Sequence, residues 1–389
     1  MSIFAQKMED LDHNPFVIKG YFSKELFCDR ENELEELYIN IKSNSDTTLI
    51  APRRMGKTGL IFRFFDYIEE RDENITGIYI DIFATRSLAD FINFLTEAIM
   101  SKYGSTTWQG SKFLELIKGL RPMMSYSAIT GEPQIQITYQ NRQEKEYTLK
   151  GLLEFLDAQN ERIVLAIDEF QQIVNYPEDN VEALLRTYIQ HLHNISFIFC
   201  GSRKRMMLNM FSNAKRPFFA TTRYLYLNKI DREKYRTFIK DIFESYSYLI
   251  DDSSLDFILD WTKIHTFYTQ SVCNKVFSLT SQSKKVDLAL VKQACLQILQ
   301  QSEPVFLQYR QLLTSAQWNY LIAVAKEGEI KKITSQAFIA KHNIGTPANS
   351  RRISKSLEEK ELLLEEVDKK ETTYSVYDLF LSRWLEMTY

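Results

Sequence analysis

The stretch that decides the fold of this chain is Thr48-Leu-Ile-Ala51-Pro52-Arg53-Arg54-Met55-Gly56-Lys57-Thr58-Gly59-Leu60. Its apolar beginning predicts a strand, and its end has the spacing of a helix start. The loop between them is short and contains Gly56 followed by Lys57 and Thr58. Backbone N–H groups of such a loop, together with the positive end of the helix dipole, form a cradle for phosphate groups.

The loop therefore predicts a nucleotide site. We expect Lys57 to pair with the β- and γ-phosphates and the Thr58 hydroxyl to bind Mg²⁺. The pattern for such loops begins with Gly, and Ala51 takes that place here as a small residue. The predicted phosphate cradle consists of Ala51, Pro52, Arg53, Arg54, Met55, Gly56, Lys57, Thr58 and Gly59. The alternative is a strand–turn–helix with an accidental Gly-Lys-Thr.

A second signal is the apolar run Ile163-Val-Leu-Ala-Ile167 that ends in Asp168 and Glu169. A carboxylate at a strand end can hold the metal, which suits Asp168, and the next can act as general base, which suits Glu169. A solvated acidic turn is the alternative explanation of this pair. Both signals occur in the right order, each at the end of a strand, which favours an ATP-binding and ATP-hydrolysing site that uses Mg²⁺.

Other polar residues near predicted strand ends are weaker candidates. Ser202 could sense the γ-phosphate or cap a helix. Asp81 either lines the site or lies at the solvent edge. Arg186 is our candidate arginine finger, with Arg216 and Arg223 as alternatives, although a surface role is common for such arginines.

The first part of the chain has the alternation of an α/β fold with a parallel sheet. Nearly continuous apolar runs are typical of strands covered on both faces. The predicted strands are 48–51, 77–83, 163–167, 195–200 and 224–227. Around 122–139 the period falls to two on either side of Thr-Gly-Glu-Pro, which predicts an inserted β-hairpin. Leu34, Leu37 and Ile41 recur at helical spacing before the first strand.

The second part is helical and ends in a different module. We divide the chain into a core at 1–229, an all-helical lid at 230–303 and a winged helix at 304–389, with a break at Gln301–Pro304. The module has predicted helices at 315–325, 335–342 and 348–360, then strands at 362–367 and 373–376. Three helices followed by a hairpin is the arrangement of a winged helix.

Composition narrows the class of protein. The chain has 389 residues, which favours two or three domains, and its net charge of −3 does not favour a general nucleic-acid binder. Neither a membrane span nor a secretory signal is evident, and the four cysteines are widely spaced, so we expect buried free thiols and a cytoplasmic location.

Taken together, the motifs resemble the archaeal-type ATPases related to AAA+ and STAND proteins. The similar residues run through almost the whole chain: Asn14-Pro15-Phe16, Phe27, Asp29-Arg30-Glu31, Glu33, 51–58, Asp168-Glu169-Phe170, Leu185-Arg186, Gly201-Ser202 and 374–384. The resemblance implies a five-stranded AAA-like core, a helical lid and a C-terminal winged helix. It places Phe27, Asp29 and Arg30 near the adenine, and makes Asp168 and Glu169 the Walker B residues. Where relatives often have Gly-His-Pro in the lid, this chain has Ile264-His265-Thr266.

The partner of the winged helix stays open at this level. Its third helix begins with side chains able to contact phosphates or base edges: Asn349, Ser350, Arg351, Arg352 and Lys355. The same helix ends in acids, so a protein partner is the alternative to duplex DNA. The function is thus either an ATP-driven machine that acts on DNA or a protein, or a slow nucleotide switch in regulation or defence. The biological process and oligomeric state are not predicted.

Overall fold

The computed structural model describes residues 14–71, 74–103, 122–126, 133–280, 284–368 and 371–389, with backbone alone at 122–126, 133–136 and 367–368. The chain forms two compact units. One is Lys19–Asp231, and the other is Arg232–Tyr389 together with the segment before residue 19.

The first unit contains a five-stranded parallel sheet. Its strands are β1 (Thr47–Ile50), β2 (Ile75–Asp81), β5 (Arg162–Asp168), β6 (Ile195–Gly201) and β7 (Arg223–Tyr226). Their spatial order is β2-β5-β6-β1-β7. The register aligns Asp81 with Asp168 and Ile50 with Gly201. The five predicted strands and the α/β class are therefore confirmed.

The central strands are apolar because helices cover both faces of the sheet. In β5, Ile163, Leu165 and Ile167 pack into the hydrophobic cluster on one face. The alternating residues Val164 and Ala166 pack into the cluster on the other face. Every residue of β6 is buried. This double burial fixes the position of the strand ends, where the candidate site residues lie.

The helices of this unit occupy both faces of the sheet. Leu34, Leu37 and Ile41 are buried on the first helix, as their spacing predicts. The helices are Glu31–Lys42, Lys57–Glu70, Leu88–Tyr103, Arg142–Asp157, Val181–Ile189 and Lys204–Ser212, with short 3-10 helices at Lys24–Leu26 and Phe170–Asn175. The expected insertion is present as an antiparallel pair, β3 (Pro122–Tyr126) with β4 (Pro133–Ile137). Its predicted turn lies outside the described residues.

The second unit is mainly helical. Its helices are Arg232–Ser245, Asp252–Trp261, Thr266–Leu279, Leu288–Leu312, Ser315–Glu327, Gln336–Lys341, Pro347–Glu359 and Leu379–Thr388. Two-residue strands β8 (Leu249–Ile250) and β9 (Lys285–Val286) pair in parallel, which the sequence did not indicate. Asn14 donates to the carbonyl of Asn274, and Phe16 packs 4.9 Å from Phe243, centroid to centroid.

The expected break at Gln301–Pro304 is wrong. One helix of 25 residues, Leu288–Leu312, runs through Pro304. Proline lacks an N–H and so removes one hydrogen bond of a helix interior. Leu299 and Phe306 are buried on either side, and this packing holds the helix together across the missing bond.

The C-terminal module has the predicted order of three helices and a hairpin. The strands are β10 (Leu363–Asp368) and β11 (Glu371–Val376), which pair antiparallel. A bridge from Ile330 to Tyr374 attaches the segment between the first two helices to the hairpin. The module is a winged helix, followed by the helix Leu379–Thr388. The boundaries of core, lid and winged helix stay a prediction.

All four cysteines are buried free thiols, as expected: Cys28, Cys200, Cys273 and Cys295. Within the described part of the chain, no helix is both long enough and apolar enough to cross a membrane.

Candidate functional site

The predicted phosphate loop connects β1 to the helix that begins at Lys57. Arg54 has a φ of 64° and Gly56 a φ of 92°, both in the left-handed region. Such turns expose successive N–H groups on the inside of a loop, which is how anion cradles form. Ala51 is fully buried, and its N–H lies 3.4 Å from the carbonyl of Gly201. A small side chain is therefore accommodated at the position where the pattern has Gly.

Lys57 lies between the two acids that end β5. Its Nζ is 2.5 Å from Oδ1 of Asp168 and 3.0 Å from Oε1 of Glu169. Lys57 is 8% exposed and Asp168 is 3% exposed. The two sequence motifs, more than a hundred residues apart, thus form one cluster of charges.

Thr58, the second residue of the helix after the phosphate loop, contacts Asp168. Its hydroxyl donates to Oδ2 of Asp168 at 3.1 Å. The hydroxyl of Tyr79, on β2, donates to the same oxygen at 3.1 Å. Both oxygens of Asp168 therefore have partners. Oδ1 contacts Lys57 and accepts from the N–H of Glu169 at 2.8 Å, and Oδ2 accepts from the two hydroxyl groups.

Glu169 is held by its backbone and by neighbouring side chains. Its φ of 55° is unusual for a residue with a side chain, and such strain is concentrated at functional sites. Ser202 donates to Oε2 of Glu169 at 2.8 Å, and Gln171 donates to the same oxygen. The candidate sensor and the candidate base are therefore in direct contact.

The protonation of this cluster follows from its charges. Burial disfavours charge on both Lys57 and Glu169, but their mutual attraction outweighs it. The pKa of Lys57 is raised above its ordinary value by Asp168 and Glu169 despite burial. The pKa of Glu169 is lowered despite burial, mainly by Lys57. At neutral pH the cluster holds a charged lysine and an ionised glutamate.

Asp81 lies opposite Asp168 in the sheet register, at the edge of this cluster. Its pKa is raised, chiefly by burial and also by the charges of Asp168 and Glu169. It accepts a hydrogen bond from the N–H of Phe83 at 2.9 Å. Asp81 is thus next to Asp168 in the sheet but is exposed to solvent, so both of its sequence interpretations stay open.

The segment expected near the adenine reaches the start of the phosphate-loop helix. A Cβ on Gly59 would lie 3.4 Å from the ring of Phe27, so the two residues pack closely. Asp29 and Arg30 both have positive φ. The guanidinium of Arg30 is buried and donates to Glu33 at 2.8 Å and to the carbonyl of Asn228 at 2.6 Å. Arg30 thus ties this segment to the end of the sheet.

The candidate arginine fingers lie elsewhere. Arg186 is close enough to Asp46 to lower its pKa, and Asp46 precedes β1, whereas the phosphate loop follows the opposite end of that strand. Arg223 begins β7 and donates to Asn40 at 3.1 Å, and Arg216 pairs with Glu182. The structure does not bring Arg186 together with Lys57 and Glu169, contrary to our expectation.

Two contacts of the site were missed by sequence reasoning. Tyr79 lies opposite Ala166 in the sheet register, two residues before Asp168, and its hydroxyl reaches Oδ2 of that acid. Gln171 follows Glu169 by two positions, and its contact with Glu169 is made from within the 3-10 helix that begins at Phe170. A polar residue two positions after Glu169 was the one available signal.

A five-stranded parallel sheet with a Gly-Lys-Thr loop after one strand and two carboxylates after another defines a P-loop ATPase core. Residues 27–264 match the family model described as an ATPase domain predominantly from Archaea. That match covers more than half of the chain, and the chain belongs to this family of ATPases. Residues 304–387 match the model of a probable winged helix domain.

Solved structures show the same fold over nearly the whole chain. A Walker-type ATPase of Pyrococcus abyssi is similar with a TM-score of 0.63 at 17% identity, covering 95% of this chain and 99% of that one. The ORC2 protein of Aeropyrum pernix, in ADPNP and ADP complexes, has a TM-score of 0.58 at 15% identity, covering 97% and 96%. Comparison with the curated proteins finds no match.

Proposed function

We propose that the protein binds ATP with Mg²⁺ at the Lys57 loop, hydrolyses it with Glu169 as the base, and uses the nucleotide state to control a winged helix that contacts duplex DNA. The observation that supports the ATP site best is the contact of Lys57 with both Asp168 and Glu169. Three residues from two distant motifs converge on one point, as ATP hydrolysis requires.

The phosphates are expected to draw Lys57 away from the acids. A buried ammonium group with two carboxylate neighbours is available as counter-charge for the β- and γ-phosphates. The loop N–H groups around Gly56 would bind the same phosphates from the backbone. Binding then exchanges one set of ion pairs for another, so Lys57 stays charged throughout.

The residues fit Mg²⁺. This ion prefers oxygen ligands and keeps several of its waters, so one or two protein oxygens suffice. The Thr58 hydroxyl and Oδ2 of Asp168 lie 3.1 Å apart and form such a pair. When bound, the ion would neutralise charge that develops on the phosphates.

Glu169 is proposed as the base because its carboxylate is ionised and is fixed by Ser202. A water that attacks the γ-phosphate must lose a proton, and an ionised carboxylate within reach can accept it. Ser202, at the end of the neighbouring strand, would report the state of the γ-phosphate to Glu169 through their hydrogen bond.

DNA contact is proposed for the helix Pro347–Glu359. Its buried residues lie on one face: Ser350, Ile353, Ser354 and Leu357. Arg351, Arg352 and Lys355 are exposed. Three cations near the start of one helix are suited to a stretch of phosphate backbone. Ser350, one of the expected contact residues, is buried against Tyr320 and the carbonyl of Ile333, so it is not available to DNA.

The experiment that tests this function is the DNA affinity of the full chain measured with ATP, with ADP and without nucleotide. We expect salt-sensitive binding to duplex DNA that changes severalfold between the ATP and ADP states. Absence of DNA binding at low ionic strength would instead favour a nucleotide switch with a protein partner.

A further inference from the structure

The two oxygens of the Glu169 carboxylate have different partners. Oε1 accepts from Lys57 at 3.0 Å. Oε2 accepts from Ser202 at 2.8 Å and from Nε2 of Gln171. Lys57 is the cation that the phosphates would draw away, whereas the neutral groups of Ser202 and Gln171 can keep their hydrogen bonds to Oε2. Binding of ATP would thus free Oε1 and leave Oε2 held.

Gln171 is suited to hold a carboxylate because of how it is enclosed. It is 5% exposed and lies in the 3-10 helix that begins directly after Glu169. A carboxylate can only accept hydrogen bonds, so the amide must present its NH₂ group to Glu169. The orientation of the amide is thereby fixed.

The carbonyl oxygen of the same amide shows that this orientation costs free energy. Oε1 of Gln171 is buried and has no hydrogen-bond partner within the described part of the chain. A buried acceptor without a partner is destabilising, so another contact must hold it there. That contact is the one to Glu169.

Gly201 leaves the space that the amide occupies. A Cβ at this position would lie 2.4 Å from Oε1 of Gln171 and 2.4 Å from the sulfur of Met207. With a side chain at this position Gln171 and Met207 would have to shift, so glycine leaves Gln171 its place beside the end of β6. The pair Gly201-Ser202 thus serves Glu169 twice, by making room for Gln171 and by donating a hydrogen bond.

We propose that Gln171 is a positioning residue that, with Ser202, anchors Oε2 of Glu169 so that Oε1 is the oxygen that accepts the proton from the attacking water. This rests on the proposed role of Glu169 as base. In the reaction the water oxygen bonds to the γ-phosphorus, the bond from that phosphorus to the β–γ bridging oxygen breaks, and ADP leaves with the electron pair. The proton of the water goes to Oε1.

The test is single-turnover hydrolysis of bound ATP by the full-length Gln171→Leu and Gln171→Met variants. Neither side chain can donate a hydrogen bond to Glu169. Leu is shorter than Gln, whereas Met has nearly the same length. For both we expect ATP affinity to stay near the wild-type value and the rate to fall about ten- to hundredfold, the effect of a misplaced catalytic group.

The pH profile separates positioning from a general loss of structure. The hydrogen bond from Gln171 lowers the pKa of Glu169, so the acidic limb of the rate profile should move to higher pH in Gln171→Leu. The matched control is Gln172→Leu in the same 3-10 helix. Gln172 donates to the carbonyl of Thr85 at 3.0 Å, away from Glu169, and its replacement should leave rate and profile unchanged.

The outcomes distinguish a failure of the positioning role of Gln171 from a failure of Glu169 as the base. A wild-type rate and pH profile in Gln171→Met would overturn the positioning role, as would an equal loss in Gln172→Leu. If Gln171→Leu does not fold, Gln171→Met decides because its length is nearly that of Gln. Hydrolysis that survives in Glu169→Gln would instead overturn the base, whatever Gln171 does.

Discussion

At the scale of single residues, the site is a competition for the ammonium group of Lys57. Both acids at the end of β5 contact it. Phosphates bring several negative charges to the same place and are expected to win that competition. The acids would then be available for their proposed roles, Asp168 with the metal and Glu169 with the attacking water.

The first residue prediction is that Lys57→Ala loses most affinity for ATP with Mg²⁺. A hydrogen bond to a charged group is worth about 1.5–3 kcal/mol, so we expect the Kd to rise roughly ten- to hundredfold. Isothermal titration calorimetry measures it, with Lys150→Ala as control because Lys150 is a surface residue paired with Glu154. An unchanged Kd in Lys57→Ala would falsify the loop assignment.

A second prediction separates binding from chemistry. Glu169→Gln keeps the shape of the side chain but cannot accept a proton, so ATP should stay bound while the hydrolysis rate falls about 10²- to 10⁴-fold. Phosphate release in a single turnover measures the rate. Glu154→Gln, at an exposed carboxylate, is the matched control. Turnover at the wild-type rate in Glu169→Gln would show that the base lies elsewhere.

Asp168→Asn is expected to act on the metal instead. The amide keeps one oxygen but loses the charge that favours Mg²⁺, so more of the ion should be needed for half-maximal activity. A titration of activity with Mg²⁺ shows this as a shift of the midpoint to higher concentration. The same midpoint in variant and wild type would remove Asp168 from the metal site.

Asp46 gives a prediction about stability and pH. Burial raises its pKa to about 6, against the hydrogen bond from the Phe197 N–H and the charge of Arg186. The folded state therefore favours the protonated form. This contribution to the free energy of unfolding is complete below about 3.9, the pKa of the carboxyl in the unfolded chain, and is lost as the pH rises through about 6.

Replacing Asp46 with Asn removes this loss of stability at higher pH, because an amide does not ionise. We expect Asp46→Asn to unfold a few degrees above the wild type at pH 7, and at nearly the same temperature near pH 4. Thermal unfolding across this range measures the difference. A wild-type midpoint at least as high as that of the variant at pH 7 would contradict the raised pKa.

At the scale of elements, the helix Pro347–Glu359 has one buried face and one exposed face. Thr346 caps it by accepting from the N–H of Asn349 at 3.2 Å, and Pro347 occupies the first turn, where its missing N–H does no harm. Buried residues attach one face to the module, while Arg351, Arg352 and Lys355 stay exposed. The element is built so that its basic side chains remain accessible.

For this element we predict that Arg351→Ala with Arg352→Ala weakens DNA binding and flattens its salt dependence. Each phosphate contact contributes about one unit to the slope of log affinity against log salt, so the slope should fall by up to roughly two units. Fluorescence anisotropy at several salt concentrations measures it. Lys331→Ala is the control, since Lys331 is exposed in the same module and pairs with Glu371. Equal slopes for the double variant and the wild type would remove this helix from the interface.

At the scale of the whole molecule, an ATPase core and a winged helix occur in one chain, and two modes of action follow. A machine is stimulated by its substrate, whereas a switch turns over rarely. Linkage makes the coupling measurable from either side: if ATP changes DNA affinity by some factor, DNA changes ATP affinity by the same factor.

The whole-molecule prediction is that duplex DNA raises steady-state ATP turnover severalfold. The same measurement on Arg351→Ala with Arg352→Ala should lose that stimulation and keep the basal rate, since neither arginine belongs to the ATP site. Turnover that is slow and indifferent to DNA would support the switch. Stimulation that persists in the double variant would place the DNA contact on another surface.

The sequence by itself determined the local elements of this protein and the class of its site. Buried parallel strands must be apolar along their whole length, so 163–167 and 195–200 were visible as strands. The Gly-Lys-Thr loop and the Asp168-Glu169 pair carry their chemistry in consecutive residues. The helix through Pro304 was misread because buried neighbours such as Leu299 and Phe306 outweigh one missing hydrogen bond.

Only the tertiary structure decided which distant residues meet. The strand order β2-β5-β6-β1-β7 brings Lys57 and Ser202 to Glu169, and the register brings Tyr79 to Asp168. The same sheet places Arg186 near Asp46, away from the phosphate loop. Local patterns record which face of an element is buried, but strand order and register arise from packing across the whole sheet. For that reason the contact of Gln171 with Glu169, and the space that Gly201 leaves for it, do not follow from the position of either residue in the sequence.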